Sequence, residues 1–350
     1  MGKISMPRFI RPSLDQKIKQ TSVPTSTLNI RDLELSVRKV KELIENGLGK
    51  VLVITGAGVS VDSGIRAYRG SKGSYTVNKS FRPIFYHEFL QSVAFRKRYW
   101  ARSYLGYPTV RLAKPNQGHL SIAALMKMGL ISNLITQNVD RLHHKALMSL
   151  HDSTDLYSSK SSHPQVIELH GTLNDVICLS CGHILDRDTF QDKMSELNPS
   201  LKDYADSMAP FGQKLKTNPD GDFDLGNWSY DLFQIPSCEN CSSSMLKPAV
   251  TFFGESLSDE IKRRCEEVMD RSSNLLLVGT SLTTYSAFRL VKYMRERSGT
   301  KIGMINIGIS RADGIVDWKI GSDDDNDDSL NAIGCSQVLR EVELEFCRSM

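Results

Sequence analysis

Four short apolar segments, each followed by small polar residues, constrain the fold of this 350-residue chain more than any other feature. The four segments are residues 50–55, 134–136, 274–278 and 302–306. They are separated by stretches with helical periodicity, at residues 33–48, 117–128, 257–269 and 285–297. Apolar strands that alternate with helices indicate a parallel sheet with helices on both faces. The pattern therefore predicts an α/β, Rossmann-like fold.

The small polar residues after these strands predict the position of a ligand site. In an open parallel sheet, ligands bind at the carboxyl ends of the strands. The first strand ends in Gly-Ala-Gly-Val-Ser at 56–60, whose glycines fit either a close approach to a phosphate or a tight structural turn. Dehydrogenases would place a third glycine where this chain has Val61, and no lysine follows as in nucleotide triphosphatases. The turn therefore departs from both of these nucleotide-binding patterns.

Two stretches interrupt the alternation of strands and helices and divide the chain. Residues 73–112 are rich in aromatic side chains and predict a helical insertion. Residues 171–247 are polar, contain two cysteine pairs and predict a small inserted domain. The remaining segments, 31–72, 113–170 and 248–350, together predict the Rossmann-like domain.

Four of the seven cysteines form two tight pairs in the second insertion, Cys178-x-x-Cys181 and Cys238-x-x-Cys241. An odd cysteine count argues against a disulfide framework. Two pairs with this spacing can close a tetrahedral site of four thiolates. Four sulfur ligands leave no open position for chemistry, so the pairs predict one structural zinc that stabilises the inserted domain.

His170 is the candidate catalytic base. It follows the apolar residues Val166 and Ile167, precedes Gly171 and lies next to the predicted zinc domain. Clefts commonly form at such junctions between domains. A histidine with a near-neutral pKa is suited to accept a proton from a hydroxyl group there.

Taken in order, these residues resemble the sirtuins, the NAD⁺-dependent protein deacylases. Over roughly residues 50–340, the matching motifs are Gly-Ala-Gly-Val-Ser at 56–60, Ser-Gly-Ile at 63–65, Tyr-Arg at 68–69, Thr-Gln-Asn-Val-Asp at 136–140, Leu-His at 142–143, His-Gly at 170–171, the two cysteine pairs, Leu-Lys-Pro at 246–248, Phe-Gly-Glu at 253–255, Gly-Thr-Ser-Leu at 279–282, Asn-Ile-Gly at 306–308 and Cys335. Residues 98–102 and 306–311 resemble class II sirtuins, and most of all their mitochondrial sirtuin-four branch.

The resemblance implies a site for NAD, which is consumed as a co-substrate. The implied NAD contacts are Gly56, Ala57, Gly58, Ser60, Tyr68, Arg69, Gln137, Asn138, Asp140, Gly279, Thr280, Ser281, Asn306, Ile307, Gly308 and Cys335. The implied catalytic residues are His170, Asn138 and Asp140. The resemblance further implies that the acyl-lysine peptide adds as a strand beside Val250, Phe253 and Gly254.

The resemblance also implies the order of the reaction. The amide oxygen of the acyl-lysine attacks C1′ of the nicotinamide ribose, and nicotinamide leaves. His170 then takes a proton from a ribose hydroxyl, whose oxygen attacks the acyl carbon. Water finally releases free lysine and O-acyl-ADP-ribose.

Two departures from the sirtuin pattern keep other functions open. The family has Pro-Asp-Phe/Tyr-Arg after its Gly-Ile, whereas this chain has Arg66-Ala67-Tyr-Arg, and a second expected aspartate is Ala249. Each departure removes a carboxylate, so a weakly active NAD-binding regulatory protein is one alternative. An NAD-dependent protein ADP-ribosyltransferase is another, because it needs the same NAD pocket.

Tyr99 and Arg102 predict the choice of acyl group. They are three residues apart in a predicted helix and therefore share one face. In the class II sirtuins that remove acidic acyl groups, a Tyr-x-x-Arg pair at the matching place holds the distal carboxylate. A phenol and a guanidinium suit a carboxylate in an apolar pocket. The pair predicts a preference for bulky or dicarboxylic acyl groups; the alternative is an arginine on a solvated helix face above a packed tyrosine.

Charge and N-terminal composition predict location and partners. Residues 1–30 contain five basic residues and one acidic residue, which predicts a flexible basic tail compatible with a mitochondrial presequence. We expect the mitochondrial matrix, with cytoplasm or nucleus as alternatives. The net charge of +4 neither demands nor excludes contact with nucleic acid, and no dense basic stretch argues for it, so we expect no direct nucleic-acid partner. No apolar run is long enough to span a membrane. We expect a monomer that binds acyl-lysine proteins or peptides.

Overall fold

The computed structural model describes residues 28–70, 73–77, 82–150, 165–208, 229–321 and 333–349 of the chain. In this part, the strands are β1 (Leu28–Ile30), β2 (Val51–Thr55), β3 (Ile131–Thr136), β4 (Val166–Glu168), β5 (Gly171–Cys178), β6 (Ile184–Asp186), β7 (Leu246–Val250), β8 (Asn274–Val278), β9 (Ile302–Ile305) and β10 (Trp318–Ile320). The helices are α1 (Leu33–Asn46), α2 (Ser74–Val77), α3 (Tyr86–Gln91), α4 (Val93–Leu112), α5 (Gln117–Lys127), α6 (Leu142–Ser149), α7 (Arg187–Leu197), α8 (Pro199–Met208), α9 (Asp259–Arg271), α10 (Tyr285–Glu296) and α11 (Cys335–Ser349).

Seven of these strands form one parallel sheet with the order β1-β10-β9-β8-β2-β3-β4. Neighbouring residues of a strand point to opposite faces, so Val51 and Val53 belong to one hydrophobic core while Leu52 and Ile54 belong to another. Residues of α1, α5, α6 and α11 complete the first core, and residues of α9 and α10 complete the second. The predicted α/β fold with helices on both faces of a parallel sheet is confirmed.

The four helices predicted from periodicity are present as α1, α5, α9 and α10. Helix α1 begins where the Asp32 carboxylate accepts a hydrogen bond from the Leu35 N–H at 2.7 Å. It ends at a turn in which Leu48 and Gly49 both have positive φ. Each helix of the described residues is too short or too polar to cross a bilayer.

The N-terminal boundary drawn from the sequence is wrong by three residues. Leu28–Ile30, assigned to the basic tail, forms β1 and pairs in parallel with β10 at the edge of the sheet. Strand β10 was not predicted, because its central residue is a lysine. Residues 1–27, which carry the predicted presequence features, lie outside the described residues.

The two insertions share one hydrophobic core. Strands β5, β6 and β7 form a separate three-stranded sheet, next to α7. Trp100 of α4 is fully buried, lies 4.6 Å from the Phe190 ring of α7 and donates a hydrogen bond from Nε1 to the Leu246 carbonyl of β7. Helix α4 is thereby attached to the cysteine-bearing sheet, although the two segments are distant in sequence.

Candidate functional site

The turn after β2 packs directly against the turn after β8 at the carboxyl edge of the main sheet. The Gly56 N–H donates to the Val278 carbonyl at 3.1 Å, and the Gly58 N–H donates to the Gly279 carbonyl at 2.9 Å. A Cβ at Gly58 would lie 2.8 Å from the Gly279 Cα, and one at Gly56 would lie 2.7 Å from the Thr280 Cβ. The contact between two backbones therefore requires glycine here, whether or not a phosphate approaches.

Ser60, Asn138 and Asp140 form a buried hydrogen-bonded cluster beside this turn. Ser60 Oγ donates to Asp140 Oδ2 at 2.7 Å, and Asn138 Nδ2 donates to Ser60 Oγ at 3.0 Å and to the Gly56 carbonyl at 3.1 Å. Burial raises the pKa of the Asp140 carboxyl, and hydrogen bonds from the Leu142 N–H and Ser60 act in the opposite direction. The cluster joins the residues after β3 to the turn after β2, and so brings three predicted site residues together.

His170 lies two residues after β4, between the ends of β3, β7 and the start of α10. Its Nδ1 is 3.2 Å from the Gln137 carbonyl, which can only accept, so we assign the proton to Nδ1. Its Nε2 is then a hydrogen-bond acceptor and lies 2.9 Å from Ser286 Oγ. Burial lowers the pKa of His170, while the bond to Gln137 acts in the opposite direction. The site therefore presents a neutral imidazole with a proton-accepting nitrogen.

The Gln137 side chain connects β2, β3 and the turn after β8. Its Nε2 donates to Thr280 Oγ1 at 2.8 Å and to the Thr55 carbonyl at 3.1 Å. Its Oε1 accepts a longer hydrogen bond from Thr284 Oγ1 at 3.4 Å. A single amide thus fixes the spacing between the two loops that the sequence predicts on either side of an NAD molecule.

Arg69 reaches across the same edge of the sheet from the loop after β2. Its Nη1 donates to Ser281 Oγ at 3.4 Å, and its guanidinium lies 5.5 Å from the centre of the Tyr75 ring. The Tyr68 ring stacks on Tyr75 with 6.0 Å between ring centres. The predicted contacts Tyr68, Arg69 and Ser281 therefore lie together, and Tyr75 of α2 holds them there.

The loop after β9 contains the predicted contacts on the adenosine side. Asn306 Nδ2 donates to the carbonyls of Ile307 at 3.0 Å and Gly308 at 2.9 Å, which folds the loop back on itself. The buried Lys319 donates from Nζ to the Gly308 carbonyl at 2.9 Å. Cys335, at the first position of α11, is half-buried, and burial raises the pKa of its thiol to about 11. That thiol stays protonated at neutral pH and is not a nucleophile.

The segment predicted to receive a peptide strand lies directly after β7. Strand β7 is an edge strand of the small sheet, and the Thr251 N–H donates to the His170 carbonyl at 2.8 Å. Two carbonyls of the segment are already used, because Val250 accepts from Lys247 Nζ and Phe253 accepts from the Tyr86 N–H. The Phe253 side chain is exposed, and Gly254 has a φ of +81°.

Tyr99 and Arg102 are both buried on the inner face of α4. The Tyr99 ring lies 5.2 Å from the Phe252 ring and 5.7 Å from the Phe89 ring. Phe252 directly precedes Phe253, so Tyr99 packs against the base of the predicted peptide segment. The alternative interpretation, an arginine on a solvated helix face, is wrong for Arg102.

The four paired cysteines lie together at one end of the small sheet. Their sulfur atoms all lie within 4.8 Å of one another, with Cys178 and Cys241 at 3.6 Å and Cys181 and Cys238 at 3.8 Å. A tetrahedral zinc with bonds of about 2.3 Å requires neighbouring sulfurs about 3.8 Å apart. The donor set and its spacing therefore fit one zinc ion.

Comparison with known proteins places the chain in a family. The model of the Sir2 family matches residues 56–286, from the turn after β2 through His170 and all four paired cysteines to the start of α10. The chain belongs to the Sir2 family. The resemblance to sirtuins found in its motifs is therefore confirmed.

Named relatives of this Sir2 chain include deacylases of the sirtuin-four branch. It is 38% identical over 312 residues to the NAD-dependent protein deacylase SIR4 of Batrachochytrium dendrobatidis, covering 88% of this chain and 93% of that protein. It is 39% identical over 323 residues to the NAD-dependent protein deacylase SRT2 of Arabidopsis thaliana, covering 90% and 78%. A solved Sir2 enzyme matches with a TM-score of 0.61 and 25% identity, covering 91% of this chain and 100% of the other.

The sequence motifs of this Sir2 chain do not predict the roles of His119 and His143. Their rings are 4.7 Å apart, His143 Nε2 lies 3.0 Å from Thr55 Oγ1, and His119 Nε2 lies 3.4 Å from Ser60 Oγ. Burial lowers the pKa of His119 to about 3 and that of His143 well below its ordinary value. Both are neutral polar supports of the Ser60 cluster. Asn116, which caps α5 three residues before His119, is the sequence signal that could have placed the first of them.

Proposed function

We propose that this chain is an NAD-dependent protein-lysine deacylase. The observation that carries the proposal is the placement of His170, whose ring contacts the Gln137 carbonyl in a loop predicted to bind NAD and whose backbone carbonyl accepts from Thr251 in the segment predicted to bind peptide. Relatives that align over most of the chain are named NAD-dependent protein deacylases or deacetylases. This reaction needs a catalytic base that lies next to both a nucleotide-binding site and a peptide-binding strand.

The residues at the carboxyl edge of the sheet fit NAD as a co-substrate. When bound, NAD supplies an electrophilic ribose carbon from which nicotinamide leaves as the acyl-lysine amide oxygen adds. Asn138 and Asp140, held by Ser60, line the nicotinamide and ribose side in this proposal. Thr280, Ser281 and the Asn306 loop hold the adenosine side. Hydrogen bonds already join the loops after β2 and β3, after β3 and β8, and after β8 and β9, so they would bind such an extended ligand with little rearrangement.

His170 acts after nicotinamide has left. Its neutral Nε2 takes a proton from a ribose hydroxyl, and the hydroxyl oxygen then bonds to the acyl carbon. Water completes the release of the lysine amine, and the acyl group remains on ADP-ribose. One NAD, one acyl-lysine and one water thus give nicotinamide, free lysine and O-acyl-ADP-ribose.

The acyl pocket is the part of the proposal that concerns substrate choice. Arg102 is buried and lies three residues after Tyr99 on the inner face of α4, and the Tyr99 ring packs against Phe252, which directly precedes Phe253. A guanidinium can hold a carboxylate through two parallel hydrogen bonds. We propose that the pair selects bulky or dicarboxylic acyl groups, of the glutaryl type, over acetyl.

The location and the assembly state are also proposals. The five basic residues of the N-terminal 30 support import into the mitochondrial matrix. We also propose a monomer that acts on acyl-lysine proteins or peptides. Uptake of the full chain by isolated mitochondria, with a mutant lacking those basic charges as control, tests the location.

The activity test is release of nicotinamide from NAD in the presence of a panel of acyl-lysine peptides. We expect release that depends on both NAD and the acyl group, with glutaryl-type peptides ahead of acetyl peptides. Binding of NAD without release for any peptide would indicate the regulatory alternative. Release without loss of the acyl group from the peptide would favour ADP-ribosyl transfer.

A further inference from the structure

The proton-accepting nitrogen of His170 has a side-chain partner that the reaction as described does not use. Ser286 Oγ lies 2.9 Å from His170 Nε2. Ser286 is the second residue of α10, follows the Thr284 N-cap and is partly buried. It lies outside the Gly279–Ser281 turn assigned to NAD, so its contact with the base is a separate feature of the site.

The hydroxyl group of Ser286 suits both protonation states of the base. It donates to the single lone pair of Nε2 while the ring is neutral and the site is free of substrate, and the ribose hydroxyl takes its place there when the proton is transferred. After Nε2 has taken a proton, the same oxygen can accept a hydrogen bond from it by rotation of the hydroxyl. A side chain that only donates or only accepts would be left unsatisfied in one of the two states.

The remaining contacts of His170 do not fix the orientation of its imidazole ring. The Gln137 carbonyl fixes Nδ1 at 3.2 Å, and the Thr251 N–H fixes only the His170 backbone at 2.8 Å. Without a partner at Nε2, the ring keeps one side-chain hydrogen bond and can rotate about it. Proton transfer requires the two heavy atoms to approach within about 3 Å.

We propose that Ser286 is a positioning residue that orients the His170 ring before the ribose hydroxyl reaches Nε2 and holds the ring again after the proton has moved. The inference rests on the proposed deacylase function. It assigns to α10 a role in the second half of the reaction, in addition to the packing role of the helix against the sheet.

Measuring the two halves of the reaction separately distinguishes a positioning role of Ser286 at His170 from a general effect on the structure of the protein. Loss of nicotinamide does not use His170, whereas attack by the ribose hydroxyl does. Exchange of labelled nicotinamide into NAD, in the presence of acyl peptide, therefore reports the first half alone. Net deacylation reports both halves.

The experiment compares Ser286→Ala, Ser286→Thr and Ser132→Ala in the full chain. Ser132 is a matched control, because it is partly buried and donates one hydrogen bond, to the Val51 carbonyl, far from His170. We expect Ser286→Ala to lower kcat for deacylation roughly 3- to 10-fold, the rate equivalent of one hydrogen bond. Nicotinamide exchange should stay within about twofold of wild type, and Ser286→Thr should restore most of the deacylation.

The outcomes distinguish this inference from the function on which it rests. Equal loss of exchange and deacylation in Ser286→Ala, or deacylation unchanged in that variant, would overturn the positioning role. Wild-type chain that releases no nicotinamide with any acyl peptide would instead refute the deacylase proposal. A similar selective loss in Ser132→Ala would show that the effect does not arise at His170.

Discussion

His170 is flanked by a backbone carbonyl at Nδ1 and a hydroxyl at Nε2, and this pair of partners decides which nitrogen can act. Its surroundings disfavour the charged ring, since burial lowers the pKa of His170. Asp140, in the Ser60 cluster, has the opposite shift, because burial raises the pKa of a carboxyl. The protonation states of both side chains therefore depend on their hydrogen bonds within the site.

Replacement of His170 by alanine tests its role as the base. We expect His170→Ala to reduce deacylation at least ~10²-fold, the usual scale for loss of general-base catalysis. The dissociation constant for NAD, measured by calorimetry, should change little, since the predicted NAD contacts come from other loops. Near-normal turnover in the variant would show that another group takes the proton.

The lowered pKa of His170 predicts the pH dependence of the reaction. The base must be neutral, and a histidine whose pKa is depressed stays neutral to a lower pH than usual. The acidic limb of kcat/KM should therefore have its midpoint below about 6.5, the ordinary histidine value. A midpoint at or above that value in a pH–rate profile would contradict the burial argument.

Arg102→Met tests the acyl pocket, with Arg98→Met on the same helix as the matched control. Methionine keeps an unbranched apolar side chain in place of the arginine stem and removes the guanidinium charge. We expect catalytic efficiency with glutaryl-type peptides to fall by roughly 1.5–3 kcal/mol, the range for a hydrogen bond to a charged group. Acetyl activity should be spared, and Arg98→Met should resemble wild type. Equal loss on all acyl peptides would show that Arg102 is structural.

At the level of elements, the long periodic helices and fully apolar strands were predictable, and the short edge strands were not. Strand β1 has three residues, too few to show a period. Strand β10 contains Lys319. A lysine in the sequence predicts a surface position, but this side chain is only 1% exposed. Its charge is satisfied by Asp313 at 3.1 Å and the Gly308 carbonyl, contacts that only the folded chain creates.

The site was predictable where a motif carries the chemistry. The four cysteines lie together, as the spacing of the two pairs predicts. The residues after β2 and β3 meet, because strand ends converge at one edge of a parallel sheet. Ser286 and His119 were missed, since a lone serine or histidine in a helix has no local pattern. Gly58 was assigned to a ligand or a turn, and only the approach of Gly279 shows why a side chain cannot fit there.

The small sheet and its four cysteines predict a dependence on zinc. Zinc binding contributes about 10–16 kcal/mol to the folding of zinc-finger peptides, which exceeds the net stability of most domains. We expect one zinc per chain by elemental analysis, and loss of both zinc and activity in Cys178→Ser/Cys238→Ser. Cys347→Ser, which removes an exposed cysteine on α11, is the control and should keep both. A double variant with full activity would refute the structural role.

On the scale of the whole molecule, the proposed site lies at the carboxyl edge of the main sheet, where the Thr251 N–H after β7 donates to the His170 carbonyl. Two cores cover the faces of the main sheet, and the third joins α4 to the cysteine-bearing sheet. Arg187 of α7 is fully buried in that third core, with its guanidinium 4.2 Å from the centre of the Tyr107 ring of α4. Unfolding of the zinc domain should therefore disturb the acyl pocket through α4, and should disturb His170 through the segment after β7.

The identity of the reaction products tests the central claim most directly. Wild-type chain, NAD and an acyl-lysine peptide are incubated together, and peptide and nucleotide products are weighed by mass spectrometry. The account predicts equal amounts of nicotinamide, unmodified lysine peptide and O-acyl-ADP-ribose, all absent without NAD. A peptide that keeps its acyl group and gains the mass of ADP-ribose would contradict it.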